Sequence, residues 1–216
     1  MKFNLYCDSS YLEYTKKSKY IEWFFDDSEY SSLFINEWVT SPKVNEVEGT
    51  KFAWFLKPDT HMCQWLEKNI QYCLDTFQLI IVSDRKYLSI DEKFVWCPPC
   101  ITSIQDKDIY QKSKLVTSGT SDLEDYMFSV VIEDDIANGH FSEKILDCFL
   151  TGTIPVYSGA PDIGEYFNES GIISINDKLD LTSQLYYSKR SIVVENFYTA
   201  HAYENLINWI YFNYLL

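Results

Sequence analysis

The run from Tyr126 to Gly164, YMFSVVIEDDIANGHFSEKILDCFLTGTIPVYSGAPDIG, constrains the fold more than any other stretch of the chain. Phe128 to Ile132 read as an apolar strand that ends on Glu133-Asp134-Asp135. A polar loop with Asn138-Gly139 follows, then a helix from about Glu143 to Thr151 closed by Gly152. A second apolar strand, Thr153 to Tyr157, leads into the turn-rich SGAPDIG. Two strands joined by a helix over so short a span predict a right-handed βαβ crossover with parallel strands. In such sheets ligands sit beyond the carboxyl ends of the strands, which is where the acidic loop and the helix start fall.

The helix start follows residue by residue. Ser142 is the N-cap, and Phe141 before it staples onto Leu146. Phe141, Ile145 and Phe149 share one face, so the helix has an apolar side for the sheet. Glu143 and Lys144 project from the first turn. A lysine there opposes the helix dipole. Two readings stay open: a bound anion removes the conflict, since free N–H groups at a helix start favour phosphate, or Lys144 is an exposed lysine tolerated at a small cost.

The rest of the chain repeats the alternation. Phe52 to Leu56 reads as a strand, Cys63 to Thr76 as one amphipathic helix, Leu79 to Val82 as a buried strand and Phe94 to Trp96 as a short one. Strand, helix, strand recurs, which predicts an α/β fold. Residues 1–45 are aromatic and acidic and leave helix or strand open, 106–114 read as a linker, and Val194 to Tyr214 carries a helical stripe. The 216 residues suffice for one large or two small domains. With 18 Lys and Arg against 32 Asp and Glu, the net charge of −14 argues against nucleic-acid or anionic-membrane partners. No apolar run reaches spanning length and MKFNLYCDSS lacks a signal-peptide core, so a soluble, cytoplasmic protein without a membrane span is expected.

Trp96-Cys97-Pro98-Pro99-Cys100 matches the WCxxC pattern of thioredoxin-like redox proteins. The run Cys100-Ile-Thr-Ser-Ile is poor in helix formers, whereas a redox site needs a helix opening at the first cysteine. No second close pair accompanies the CxxC at zinc-finger spacing, so no metal is expected.

FSVVIED and HFSEKILDCFLTGTIPVYSGAPDIGEYF also carry a resemblance. Together they resemble the donor-binding signature of the α-1,3-fucosyltransferases (family 10 glycosyltransferases): an apolar strand, Glu-Asn, a loop, Tyr-x-Thr-Glu-Lys, a helix, then Gly-Thr-Ile-Pro-Ile-Tyr-Trp-Gly-Ala-Pro. Upstream, FAWFLKPD, FQLIIVSDRKYL and YQKSKLVTS are similar in order to segments of short members, so the resemblance covers roughly residues 50–175. It implies a GT-B-like fold of two Rossmann-like halves. Residues 1–109 form the acceptor side, 110–190 a shortened donor-nucleotide half, and 191–216 a C-terminal helix packing back on the body.

The resemblance implies a glycosyltransferase that moves fucose, or a related sugar, with inversion from a GDP-sugar to a glycan hydroxyl, needing no further cofactor. It places Glu143 on the donor hydroxyls, Lys144 on the diphosphate and Glu133 close to the donor, with Gly159, Ala160 and Pro161 as the wall behind. The chain departs from the signature at His140 (Tyr in the family), Asp134 (Asn) and Ser158 (Trp). Lys57 stands where the family has its acceptor-side glutamate, which leaves Asp59 as the nearest base. Only Gly119 to Met127 separates the last two matched segments, so the arginine that grips the diphosphate is missing. If that short loop draws the YQKSKLVTS segment toward Ser142, Lys114 faces the diphosphate beside Lys144. Two alternatives remain: a decayed remnant that binds GDP-sugar or glycan without turnover, and a thiol redox protein acting through Cys97 and Cys100.

Overall fold

The computed structural model describes residues 1–15, 18–27, 29–56, 60–98, 102, 104–134, 136–178, 180–203 and 205–216, the side chains of 13, 14 and 60 excepted. Two compact units emerge: Met1–Pro99 with Asn205–Leu216, and Cys100–Glu204. Each is built on a parallel sheet, so the α/β class and the two Rossmann-like halves expected from the sequence are borne out.

The first unit carries six strands: β1 (Lys2–Tyr6), β2 (Glu22–Phe24), β3 (Ser31–Ile35), β4 (Lys51–Phe55), β5 (Leu79–Val82) and β6 (Phe94–Trp96). Their order is β2-β1-β3-β4-β5-β6, with every pairing parallel. Among the described residues, helices α1 (Leu12–Thr15), α2 (Lys43–Glu46), α3 (Thr60–Lys68) and α4 (Ile70–Thr76) belong to the same stretch. The core is aromatic, with Phe34 stacked on Tyr6 at 4.7 Å and set edge-on to Phe77 at 6.2 Å. Residues 1–45, of open type in the sequence, supply three of the six strands. The single helix expected over Cys63 to Thr76 is two, because Asn69 leaves helical geometry (φ −124°, ψ 25°) and turns its amide onto the Trp65 carbonyl at 2.8 Å.

The second unit has four strands in sequential order: β7 (Lys114–Ser118), β8 (Tyr126–Ile132), β9 (Ile154–Ser158) and β10 (Ile173–Ser174). Helix α5 (Glu143–Thr151) connects β8 to β9, which pair in parallel from Phe128–Ile154 to Ile132–Ser158. The expected strand–helix–strand is therefore present, with the helix bounds as read. Ser142 caps α5 by accepting the Lys144 N–H, and Gly152 ends it in the left-handed region (φ 73°). A Cβ on Gly152 would also lie 2.7 Å from Ile109 Cγ2, so both conformation and space require glycine. From Ile145 to Thr151 the helix is buried all round, including Asp147, which accepts the Thr102 hydroxyl at 2.5 Å. One side of α5 meets α7 (Arg190–Ala200), which follows α6 (Ser183–Ser188). The Phe141 ring packs on Phe167 (5.5 Å) and Tyr203 (5.8 Å), and Phe149 on Phe167 (4.7 Å).

The helical stripe read across Val194 to Tyr214 is interrupted. Helix α7 ends at Ala200 in the second unit, and α8 (Leu206–Ile210) belongs to the first. There Trp209 meets Trp96 edge-on at 5.4 Å and Tyr214 donates its hydroxyl to the Trp96 carbonyl at 2.5 Å.

Candidate functional site

The carboxyl ends of β8 and β9 gather most of the residues singled out in the sequence. The Glu133 N–H bonds the Ser158 carbonyl at 2.9 Å, extending the β8–β9 ladder by one residue. This fixes the buried Glu133 side chain, whose Oε1 accepts the Ser142 N–H at 3.0 Å. Ser142 in turn presents its Oγ to the Lys144 N–H at 3.3 Å. One carboxylate and one hydroxyl thus satisfy two of the orphan donors at the start of α5.

Lys144 meets partners that answer its conflict with the helix dipole. Its Nζ donates to the Ile132 carbonyl at 3.1 Å and lies 3.7 Å from the fully exposed Asp134 carboxylate. Of the two readings of this lysine, the second therefore has local support, while the half-buried amine stays at the helix start. Glu143 sits one residue earlier, half-buried, and the loop before it closes through the His140 N–H to the Ala137 carbonyl at 3.2 Å. Gly139 (φ 72°) donates its N–H to Asp162 Oδ1 at 2.8 Å, tying this loop to the turn after β9.

That turn is tightly built. The Ala160 N–H bonds the Tyr157 hydroxyl at 3.0 Å, which folds the tyrosine back over Gly159. A Cβ on Gly159 would fall 2.2 Å from that hydroxyl and 2.5 Å from Glu133 Cγ. Ala160 is buried and Pro161 exposed, and both border a cavity of about 380 Å³ that extends to Ser174 at the end of β10 and to Asn176 and Asp177 beyond it. Glu133, His140, Glu143, Lys144, Gly159, Ala160 and Pro161 are thus all on residues at or next to this end of the sheet.

Lys114 is not brought there. It opens β7 and pairs in register with Tyr126 at the start of β8, whereas Ile132 at the end of β8 pairs with Ser158. At about 3.3 Å per residue, some 20 Å of strand separates the two ends. Lys114 is salt-bridged to Asp125 at 2.8 Å, and the expectation that it faces the helix start beside Lys144 is corrected by the parallel register. The neighbouring Lys112 is the buried one, donating to the Leu123 and Thr151 carbonyls (2.7 Å each) and to Thr153 Oγ1 (3.0 Å). Burial pushes its pKa down to about 8. The tentative base, Asp59, lies outside the described residues.

Cys97 is buried at the end of β6, where its N–H continues the sheet to the Val82 carbonyl at 2.9 Å. Described residues 104–113 carry no helix, and Cys100 lies outside the described residues. A thioredoxin-like thiol needs exposure, so the burial of Cys97 speaks against the redox alternative. Among the described residues, no group of three or more His, Cys, Asp or Glu is arranged to hold a metal ion, and no helix is long and apolar enough to cross a membrane.

Sequence reasoning passed over Tyr157, Asp162, Glu169, Asn176 and Asp177. The signal for two of them was present in the paired glycines of SGAPDIG, since each glycine leaves room for a large side chain folded over it: Tyr157 over Gly159 and Glu169 over Gly164.

No family model matches the chain. The alpha-(1,3)-fucosyltransferase FucT of Helicobacter pylori is 30% identical over 86 residues, spanning 40% of this chain. The match covers only 18% of that relative's length. A solved α1,3-fucosyltransferase with GDP aligns at TM-score 0.49 and 14% identity, over 95% of this chain and 82% of that one. One with GDP-fucose aligns at TM-score 0.47 and 12% identity, over the same shares. The resemblance carried by residues 126–164 is thus joined by a measured sequence similarity: over 86 residues the chain is similar to an α-1,3-fucosyltransferase of which it spans about a fifth.

Proposed function

We propose that the chain is a glycosyltransferase that moves fucose, or a related sugar, from a GDP-sugar to a glycan hydroxyl, with inversion in a single displacement. The carrying observation is the Glu143–Lys144 pair held at the start of α5, beyond the carboxyl ends of β8 and β9, by the Ser142 cap and the Glu133 carboxylate. In this reading the helix start and Lys144 neutralise the departing diphosphate, while Glu143 takes donor hydroxyls. Glu133 keeps α5 in place against the donor, with Gly159, Ala160 and Pro161 behind it and His140 flanking the helix start. A carboxylate base removes the acceptor proton as its oxygen attacks, and Asp59 is the residue we assign to it. Cys7, Cys73 and Cys148 are free thiols, which suits the cytoplasm.

Calorimetry with GDP and UDP tests the reading. GDP should bind, UDP bind more weakly, and Lys144→Ala should lose GDP while melting as the parent does. Absence of GDP binding at low salt overturns it.

The remnant reading is favoured by one feature: Lys144 already has the Ile132 carbonyl and Asp134 as partners. GDP binding without hydrolysis or transfer of GDP-fucose would select it.

A further inference from the structure

The cavity beyond β9 and β10 has about 380 Å³, inside the range of small-molecule sites, about 300–1,000 Å³. Its wall is built by close approaches. Gly164 lacks the Cβ that would lie 2.4 Å from the Glu169 carboxyl carbon, so the glutamate lies across the turn. At the other side Asp177 Oδ2 accepts the Ser174 N–H and Ser174 Oγ accepts the Asn176 N–H, both at 3.3 Å. Ala160, Ile163 and Ile172 supply apolar surface between these polar groups.

The chemistry of the lining is one-sided. Glu169 and Asp177 offer acceptors, and among the described residues no Lys, Arg or His borders the space. Among the described residues neither the Glu169 carboxylate nor the Asn176 amide has a protein hydrogen-bond partner. Such a lining repels phosphate and receives a ligand rich in O–H donors. Tyr157, the one aromatic ring at the cavity among the described residues, is buried with its hydroxyl committed to Ala160, so it offers no exposed face to a nucleobase.

We propose that this cavity binds a neutral hexopyranose ring, with Glu169 and Asn176 receiving its hydroxyls, as a sugar subsite separate from the diphosphate position at Lys144. The choice of a sugar rests on the transfer reading above. The cavity adjoins that position through Gly159, which borders the cavity on one side and the Glu133 side chain on the other.

Ligand-observed NMR on the full chain, with methyl fucoside, galactoside, mannoside and N-acetylglucosaminide, tests the assignment. Guanosine and glucosamine serve as the competing chemistries. At least one neutral hexoside should bind, and Glu169→Ala and Asn176→Ala should each weaken it by about tenfold or more, as expected for a lost polar contact. Both side chains are exposed, and a thermal melt checks that the variants fold. GDP affinity, measured in parallel, should be unchanged in both. The proposal is overturned if no neutral hexoside binds, if guanosine or glucosamine binds in its place, or if neither substitution matters. GDP failing to bind while a hexoside still depends on Glu169 would remove the transfer reading and leave the subsite standing.

Discussion

The Glu133 carboxylate at the end of β8 accepts the backbone N–H of Ser142, the residue that caps α5, at 3.0 Å. Strand end and helix start are thereby locked to one another through a single buried side chain. Glu133→Ala should cost about 1–3 kcal/mol in urea unfolding, because the Ser142 N–H loses its partner. Glu133→Gln keeps an acceptor and should cost less. Equal losses in the two variants would show that the bond contributes nothing.

Gly159 stands between Tyr157 and Glu133 with no room for a methyl group. Gly159→Ala should destabilise by about 1–3 kcal/mol through overpacking. Part of that loss should return in the double variant Gly159→Ala, Tyr157→Phe, since the phenolic oxygen is the nearest clash at 2.2 Å. Strictly additive losses in the double-mutant cycle would place the strain elsewhere.

Lys112 gives stability a measurable pH dependence. Burial lowers its pKa from 10.5 to about 8, so between those values the unfolded chain holds a proton that the folded chain has released. Unfolding free energy should therefore rise with pH in that window, by at most about 1.4 kcal/mol per unit, and be flat with respect to this group below pH 8. The difference between parent and Lys112→Met, followed by denaturant melts from pH 7 to 10, isolates the effect from other titrations. A pH-independent difference would mean that the three acceptors hold the ammonium at its ordinary pKa.

Cys97 should react with a thiol reagent only as fast as the first unit opens, because it is buried and its backbone is part of the β5–β6 edge. Cys63, half-buried on α3, should be modified earlier in native buffer. Mass spectrometry of a timed alkylation decides the order. Rapid labelling of Cys97 would reopen the redox alternative.

The crossover from β8 through α5 to β9 was legible because every local signal agreed: an apolar strand, a serine cap, an apolar helix face and a glycine stop. The first three strands were not. Their residues mix aromatic and charged types at short spacing, as in EWF of β2, and it is parallel pairing on both sides of β1 that makes them strands. Asn69 broke a helix whose apolar periodicity runs on through it, since the stripe says nothing about a side chain that bonds back to the Trp65 carbonyl. Lys114 was misplaced for another reason: strand register, not loop length, decides which end of a sheet a residue occupies. The cavity beyond β10 was only half legible: the paired glycines of SGAPDIG signal that side chains fold over them, but not that Tyr157 and Glu169 are the ones, nor that Ser174, Asn176 and Asp177 complete the wall.

The return of residues 205–216 to the first unit makes that unit depend on residues translated after the whole of Cys100–Glu204. A ribosome delivers all of Cys100–Glu204 before α8 exists, so the second unit has its full complement of residues while the first still lacks a part. Until then Phe3, Ile21, Trp23 and Leu33 await the Ile207 and Ile210 side chains that border the same small apolar space, and Tyr20 awaits Tyr211, on which it stacks at 5.0 Å. A chain cut after residue 204 would thus keep every residue of the second unit and leave the apolar seam of the first open to chaperones.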